Sequence, residues 1–151
     1  MLAPVECAGG ATKIRVAMYA FTRLEVAKRL TALRKGGCKV YVVLNDETDG
    51  SSKTIGTEVR QKLKAGGLNV LSACDPETAL GLHSKYLLIE GTYAGTPGRS
   101  LVLTGSHNYT HPSLRGHDET VLKIDDYGVY SKFEANFEDD IYSYPGCTTS
   151  L

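Results

Sequence analysis

Apolar and polar residues alternate from Lys13 to Phe21, with Ile14, Val16, Met18 and Ala20 on one side, and this predicts a strand. Thr22-Arg-Leu-Glu25 has the form of a capping box, in which the Thr22 hydroxyl takes one orphan amide and Glu25 reaches back. Val26, Leu30 and Leu33 continue as a helical stripe that Gly36 and Gly37 stop. Cys38 to Leu44 is β-rich, and the polar stretch Asn45 to Ser52 predicts a loop. Ile55, Val59 and Leu63 mark a second helix, ended by Gly66 and Gly67. Further strands are predicted at Leu68 to Ser72, Leu82 to Glu90, Leu101 to Thr104 and Glu119 to Ile124. Val129, Phe133, Phe137 and Ile141, spaced by four, form the stripe of a closing helix.

Strand, helix, strand, helix, strand at this spacing implies right-handed βαβ units and a sheet covered by helices. The later strands, separated only by loops, add an antiparallel portion. The expected fold is therefore α/β, with a mixed, mainly parallel sheet flanked by helices. A chain of 151 residues fits one domain with a sizeable core. Its 42% hydrophobic and 23% charged residues are ordinary globular composition. Seventeen basic residues balance seventeen acidic ones, which excludes a strongly basic coat but leaves room for a local basic patch. No apolar run approaches the roughly 18 residues of a membrane span.

Cys7, Cys38, Cys74 and Cys147 form no Cys-x-x-Cys pair, so zinc-ribbon and thioredoxin-like readings fail on spacing. Their spread predicts disulfides and a secreted protein whose leader has been removed. Cys38 and Cys74 border consecutive strands and form one candidate pair. Cys7 with Cys38, both near strand beginnings, is the other.

All four histidines, His83, His107, His111 and His117, fall in one segment. On a strand from Leu82 to Glu90, His83 and Lys85 are two apart and share a face, with Leu87 and Ile89 seating them against apolar packing. An imidazole beside a fixed ammonium is suited to an anionic centre: the lysine holds the anion and the histidine supplies a nucleophile. Downstream, Gly105-Ser106-His107-Asn108 is a turn presenting a hydroxyl and an amide, neutral donors that suit phosphate oxygens. Glu119 opens the next strand, where a carboxylate can accept from an imidazole Nδ1–H and fix its tautomer.

Together these segments resemble the phospholipase D superfamily. Its His-x-Lys-x-x-x-x-Asp signature matches His83, Lys85 and position 90, followed by the Gly-Ser-x-Asn element at Gly105, Ser106 and Asn108 and the acid at Glu119. The likeness extends from Lys13 to Ile141. It implies a metal-free, cofactor-free phosphodiesterase or transphosphatidylase acting through a phosphohistidine, on phospholipid or nucleic acid. His83 is implied as nucleophile or acid, Lys85, Ser106 and Asn108 as the phosphoryl cradle, and Glu119 as the group orienting His83. Glu90 stands where the family usually has Asp and is implied to support the fold. Gly91 to Ser100 is longer than the usual connection and is expected to form a loop beside the site. Only one motif copy is present, while the family's site is built from two. The second must come from a homodimer or from a missing N-terminal half, and a leading βα unit is absent here.

Two other classes remain open on the residues alone. A non-catalytic module would keep the fold and bind a partner. A metal hydrolase would use His107 and His111, four apart, but Pro112 and the Gly-Ser turn disfavour the helix that would align them.

Overall fold

A computed structural model describes residues 1–45, 54–72 and 81–142. The chain enters through a short strand, β1 (Val5–Glu6), and a 3₁₀ turn at Ala8–Gly10. It then alternates β2 (Lys13–Met18), α1 (Leu24–Lys35), β3 (Lys39–Leu44), α2 (Thr57–Ala65) and β4 (Asn69–Ser72). Two long strands follow, β5 (Lys85–Tyr93) and β6 (Thr96–Gly105). A short helix α3 (His111–Arg115), β7 (Val121–Asp125), α4 (Tyr127–Ala135) and a π-helical turn at Asn136–Tyr142 complete the described chain.

One mixed sheet runs β4-β3-β2-β5-β6-β7, with β1 added to the far end of β5. The βα units pair β2, β3 and β4 in parallel, as the alternating pattern requires. Among the described residues the antiparallel part is the larger, joining β2 to β5, β5 to β6, β6 to β7 and β1 to β5. Gly91 to Ser100 adds to it, being a β-hairpin and not the expected loop. Its two central residues, Ala94 and Gly95, take φ of 52° and 76°, so the turn's twist matches that of the strands it joins. Polar and glycine residues hide the alternation there, while pairing of Val5 with Tyr93 supplies the missing support.

Alternation along β2 sorts side chains onto two faces. Ile14, Val16 and Met18 meet Ala27, Leu30 and Leu33 of α1 and Val59 and Leu63 of α2 in one apolar layer. Ala17, Tyr86, Leu88 and Val102 meet Tyr130 and Phe137 on the opposite side. Arg15 is buried on that second side. Its guanidinium reaches Glu138 at 2.6 Å, Glu134 at 2.8 Å and the Tyr130 hydroxyl at 2.9 Å, tying the closing helical segment to the sheet.

Three local expectations are corrected. The capping box at Thr22 does not form: α1 starts after Arg23 with no side-chain cap. The Thr22 and Arg23 amides donate instead to the Tyr109 carbonyl at 2.9 and 2.8 Å, so a tertiary acceptor replaces the local one. Pro112 does not prevent a helix, because it falls in the first turn of α3, where its missing N–H costs nothing. Cys38 is bonded to Cys7, with their Cα atoms 4.8 Å apart, which rules out its pairing with Cys74. The connection after β1 brings Cys7 beside the entrance to β3. Cys74 and Cys147 lie outside the described residues.

Candidate active site

The chemistry-bearing segments meet at one end of the sheet because strand direction brings them there. Met18 at the end of β2 pairs with Lys85 at the start of antiparallel β5. β6 returns antiparallel to β5, so its terminus at Gly105 reaches the same end, opposite Val121 at the start of β7. His83 and Lys85, then Ser106 and Asn108, then Glu119 thus leave three strand ends, of β5, β6 and β7, into one region. Gly105 must be glycine here, since a Cβ would collide with the Thr120 carbonyl.

His83 precedes β5 and is not part of it, which corrects the expected strand start. It is held all the same: the Tyr19 amide donates to the Ser84 carbonyl at 2.9 Å, and the Tyr19 and His83 ring centroids lie 4.7 Å apart. The half-buried Lys85 ammonium donates to the His83 carbonyl at 2.9 Å and lies 3.4 Å from each nitrogen of its ring. It also sits over the Tyr19 ring, 5.2 Å from the centroid. Partial burial pushes the Lys85 ammonium below its ordinary value, and the charge of Glu119 opposes that shift. Tyr19 is a platform that the sequence reading did not single out; its place at the end of β2 was the available signal.

Asn108 is oriented by its oxygen, which accepts from the Ala20 amide at 3.2 Å. Its NH₂ group is thereby left to serve a ligand as donor. Ser106 donates its hydroxyl proton to Glu119 and accepts from the Thr120 amide at 3.1 Å. The Ser106 hydrogen bond, then the Ser113 hydrogen bond and the charges of His117 and His107, hold Glu119 below the usual carboxylate range against an opposing desolvation. Within this chain Glu119 bonds Ser106 and Ser113, and His117 Nδ1 lies 3.9 Å away; it does not touch His83.

Glu90 lies at the far end of β5, opposite Lys13 in register, with ion pairs of 3.0 Å to Lys13 and 3.8 Å to Arg15. That position removes it from the His83 region and places it in the support of the sheet.

His107, between Ser106 and Asn108, turns inward and is buried. Its Nδ1 has no hydrogen-bond partner. Burial lowers its pKa, while Glu119 and the Thr120 backbone act the other way. His111 is exposed in the first turn of α3, whereas His107 is buried. Among the described residues no group of three His, Cys, Asp or Glu side chains comes together, and no helix is long and apolar enough to cross a membrane. A cavity of about 280 Å³ opens between α3 and the start of β7, lined by His107, Arg115, His117 and Glu119 among others.

Comparison with known proteins bears on the fold and the family. The family described as cardiolipin synthase, PLD-like domain, matches residues 8–141. A mitochondrial cardiolipin hydrolase of Xenopus laevis is 24% identical over 135 residues, covering 89% of this chain and 57% of that protein. Its counterpart in Chlamydomonas reinhardtii is 21% identical over 131 residues, covering 86% of this chain and 52% of that protein. The chain thus spans about half the length of the curated relatives it matches. The crystal structure of a phospholipase D family member, Nuc from Salmonella typhimurium, superposes with a TM-score of 0.70 at 20% identity, over 91% of this chain and 82% of that one. This last likeness establishes the fold. The expectation of a secreted protein is corrected: the relatives are named as mitochondrial proteins, and a disulfide between Cys7 and Cys38 does not by itself assign export.

Proposed function

The chain belongs to the phospholipase D superfamily, and from that premise we propose that it cleaves phosphodiesters through His83 in a site completed by a second motif copy. One observation carries the reading: strand direction gathers His83, Lys85, Ser106, Asn108 and Glu119 at a single end of the sheet. In the proposed reaction a neutral His83 nitrogen attacks phosphorus, forming a P–N bond as the P–O bond to the leaving alcohol breaks. The protonated histidine of the second copy gives its proton to the departing oxygen. Water, or an alcohol in transfer, then attacks phosphorus and loses its proton to that second histidine, and the P–N bond breaks to restore His83.

Lys85 holds the phosphoryl group by charge, and the Asn108 NH₂ group by a neutral hydrogen bond. Ser106 joins them when substrate draws its hydroxyl away from Glu119. Because Glu119 does not reach His83 within the chain, its proposed role is to orient the imidazole that the second copy brings. That copy comes from another molecule of this chain or from a separate half. The substrate is a phospholipid or a nucleic acid.

Turnover of a phosphatidylcholine analogue, bis(p-nitrophenyl) phosphate and single-stranded DNA, measured side by side with EDTA present, tests the proposal. Activity should survive the chelator, fall by about 10² to 10⁴ in His83→Asn, and rise more steeply than linearly with protein concentration or appear on adding the missing half. Full activity in a dilute monomer, or in folded His83→Asn, would refute the paired site. A binding module without catalysis would bind one of these substrates and turn over none.

A further inference from the structure

A second cavity, of about 330 Å³, lies between the start of α1 and α3. It is lined by three arginines, Arg23, Arg29 and Arg115, with Tyr109 and Leu114 among its apolar walls. Leu114 and Arg115 also line the cavity that holds His107 and Glu119, so the two spaces adjoin across α3. Arg23 is fixed near the catalytic turn, because its amide donates to the carbonyl of Tyr109, the residue after Asn108.

The charge in this space is uncompensated. Arg29 is held on the carbonyls of Leu2, Ala3 and Val5, at 3.1 to 3.3 Å, through its Nε and Nη2, which positions its charge without neutralising it. Among the described residues, the side chains of Arg23 and Arg115 have neither a hydrogen bond nor an ion pair. Glu25, the one carboxylate lining the cavity, is paired with Lys28 at 3.3 Å. In a chain whose charges balance overall, three guanidiniums beside the catalytic face form a local anion site.

We propose that Arg23 and Arg115 bind a backbone phosphate flanking the scissile one on a single-stranded nucleic acid, so that the strand passes over α3. This deepens the phosphodiesterase reading and rests on it for the position of the scissile phosphate. Arginines spread along a cavity that adjoins the site, with Arg115 bordering both spaces, suit a polymer with a repeating charge better than a compact lipid headgroup. The exposed large apolar side chains also speak against a membrane face. Among the described residues these are Met1, Val121, Leu122 and Tyr127, and Val121 and Leu122 are consecutive on β7, so they point to opposite sides.

The test measures binding of fluorescein-labelled hexathymidylate to His83→Asn protein, which is expected not to consume it. Adding Arg23→Gln or Arg115→Gln should weaken binding about fivefold at 0.1 M salt, and the two together should reduce the slope of log K against log salt by about 0.7. Lys132→Gln, on α4 across the sheet, should change neither quantity. On the otherwise wild-type chain, each arginine substitution should lower kcat/KM for hexathymidylate, through KM, at least fivefold more than for bis(p-nitrophenyl) phosphate. Unaltered binding and slope in folded variants would overturn the assignment. So would a loss confined to phosphatidylglycerol vesicles, which would make the site a lipid site. If the wild-type chain cleaves neither substrate under any pairing condition, the phosphodiesterase reading fails, and the binding series still decides whether these arginines hold a nucleic-acid strand.

Discussion

Arg15→Met isolates the interaction that fastens the C-terminal helical segment to the sheet. The Arg15 side chain is 6% exposed, whereas Glu134 and Glu138 are 28% and 42% exposed. Burial pushes its pKa down, but the Glu138 hydrogen bond and the charges around it outweigh that, and the net shift is upward. Removing one member of a fully buried pair costs about 3–5 kcal/mol. Here the two carboxylates can turn toward water once released, so we expect about 2 kcal/mol, part of it because the Tyr130 hydroxyl loses its 2.9 Å partner and keeps only a 3.5 Å bond to Glu134. Methionine keeps most of the apolar stem, whereas Arg15→Ala also removes its methylenes and should cost a further 2 kcal/mol or so. For a chain of this size, about 2 kcal/mol corresponds to a fall in Tm of roughly 4–8 °C. Urea unfolding followed by circular dichroism, with a thermal scan alongside, measures both variants. Arg15→Lys should recover little, since one ammonium cannot span Glu134, Glu138 and Tyr130 together. An Arg15→Met protein as stable as the parent would show that the network specifies geometry without contributing net stability.

Two further outcomes follow from the site and from the covalent link. Because partial burial sets the Lys85 ammonium below the ordinary lysine range, activity should fall with rising pH earlier than a free lysine would dictate; Glu119→Gln removes the opposing charge and should move that alkaline limb lower still, while Lys85→Arg should move it out of range in whatever activity remains, all read from kcat/KM profiles. Cys7 and Cys38 are 31 residues apart in sequence, so the paired Cys7→Ser and Cys38→Ser substitutions should cost about 3–4 kcal/mol through freed loop entropy, and equal denaturation midpoints with and without reductant would contradict this.

The alternation Ile14, Val16, Met18 and the glycine stops at Gly36 and Gly66 determine the βα units by themselves, because period and punctuation are local properties of a chain. The same holds for the motif residues: His83-x-Lys85, Gly105-Ser106-x-Asn108 and Glu119 are legible as candidates because chemistry requires those side chains. Other features depend on neighbours distant in sequence. Thr22 and Glu25 spell a capping box, yet the Tyr109 carbonyl takes the Thr22 and Arg23 amides just ahead of α1. Gly91 to Ser100 reads as a loop, yet β1 completes the sheet there and makes a hairpin of it. Arg15 sits in an apolar strand with nothing nearby to announce its partners, more than a hundred residues downstream. Pairing of Cys7 with Cys38 follows from where β1 leaves the chain beside β3. Likewise, the hydrogen bond that Glu119 makes to Ser106, with no contact to His83, is set by the alignment of β6 with β7. Local patterns state which elements and side chains a chain has; only the packed sheet decides which of them meet.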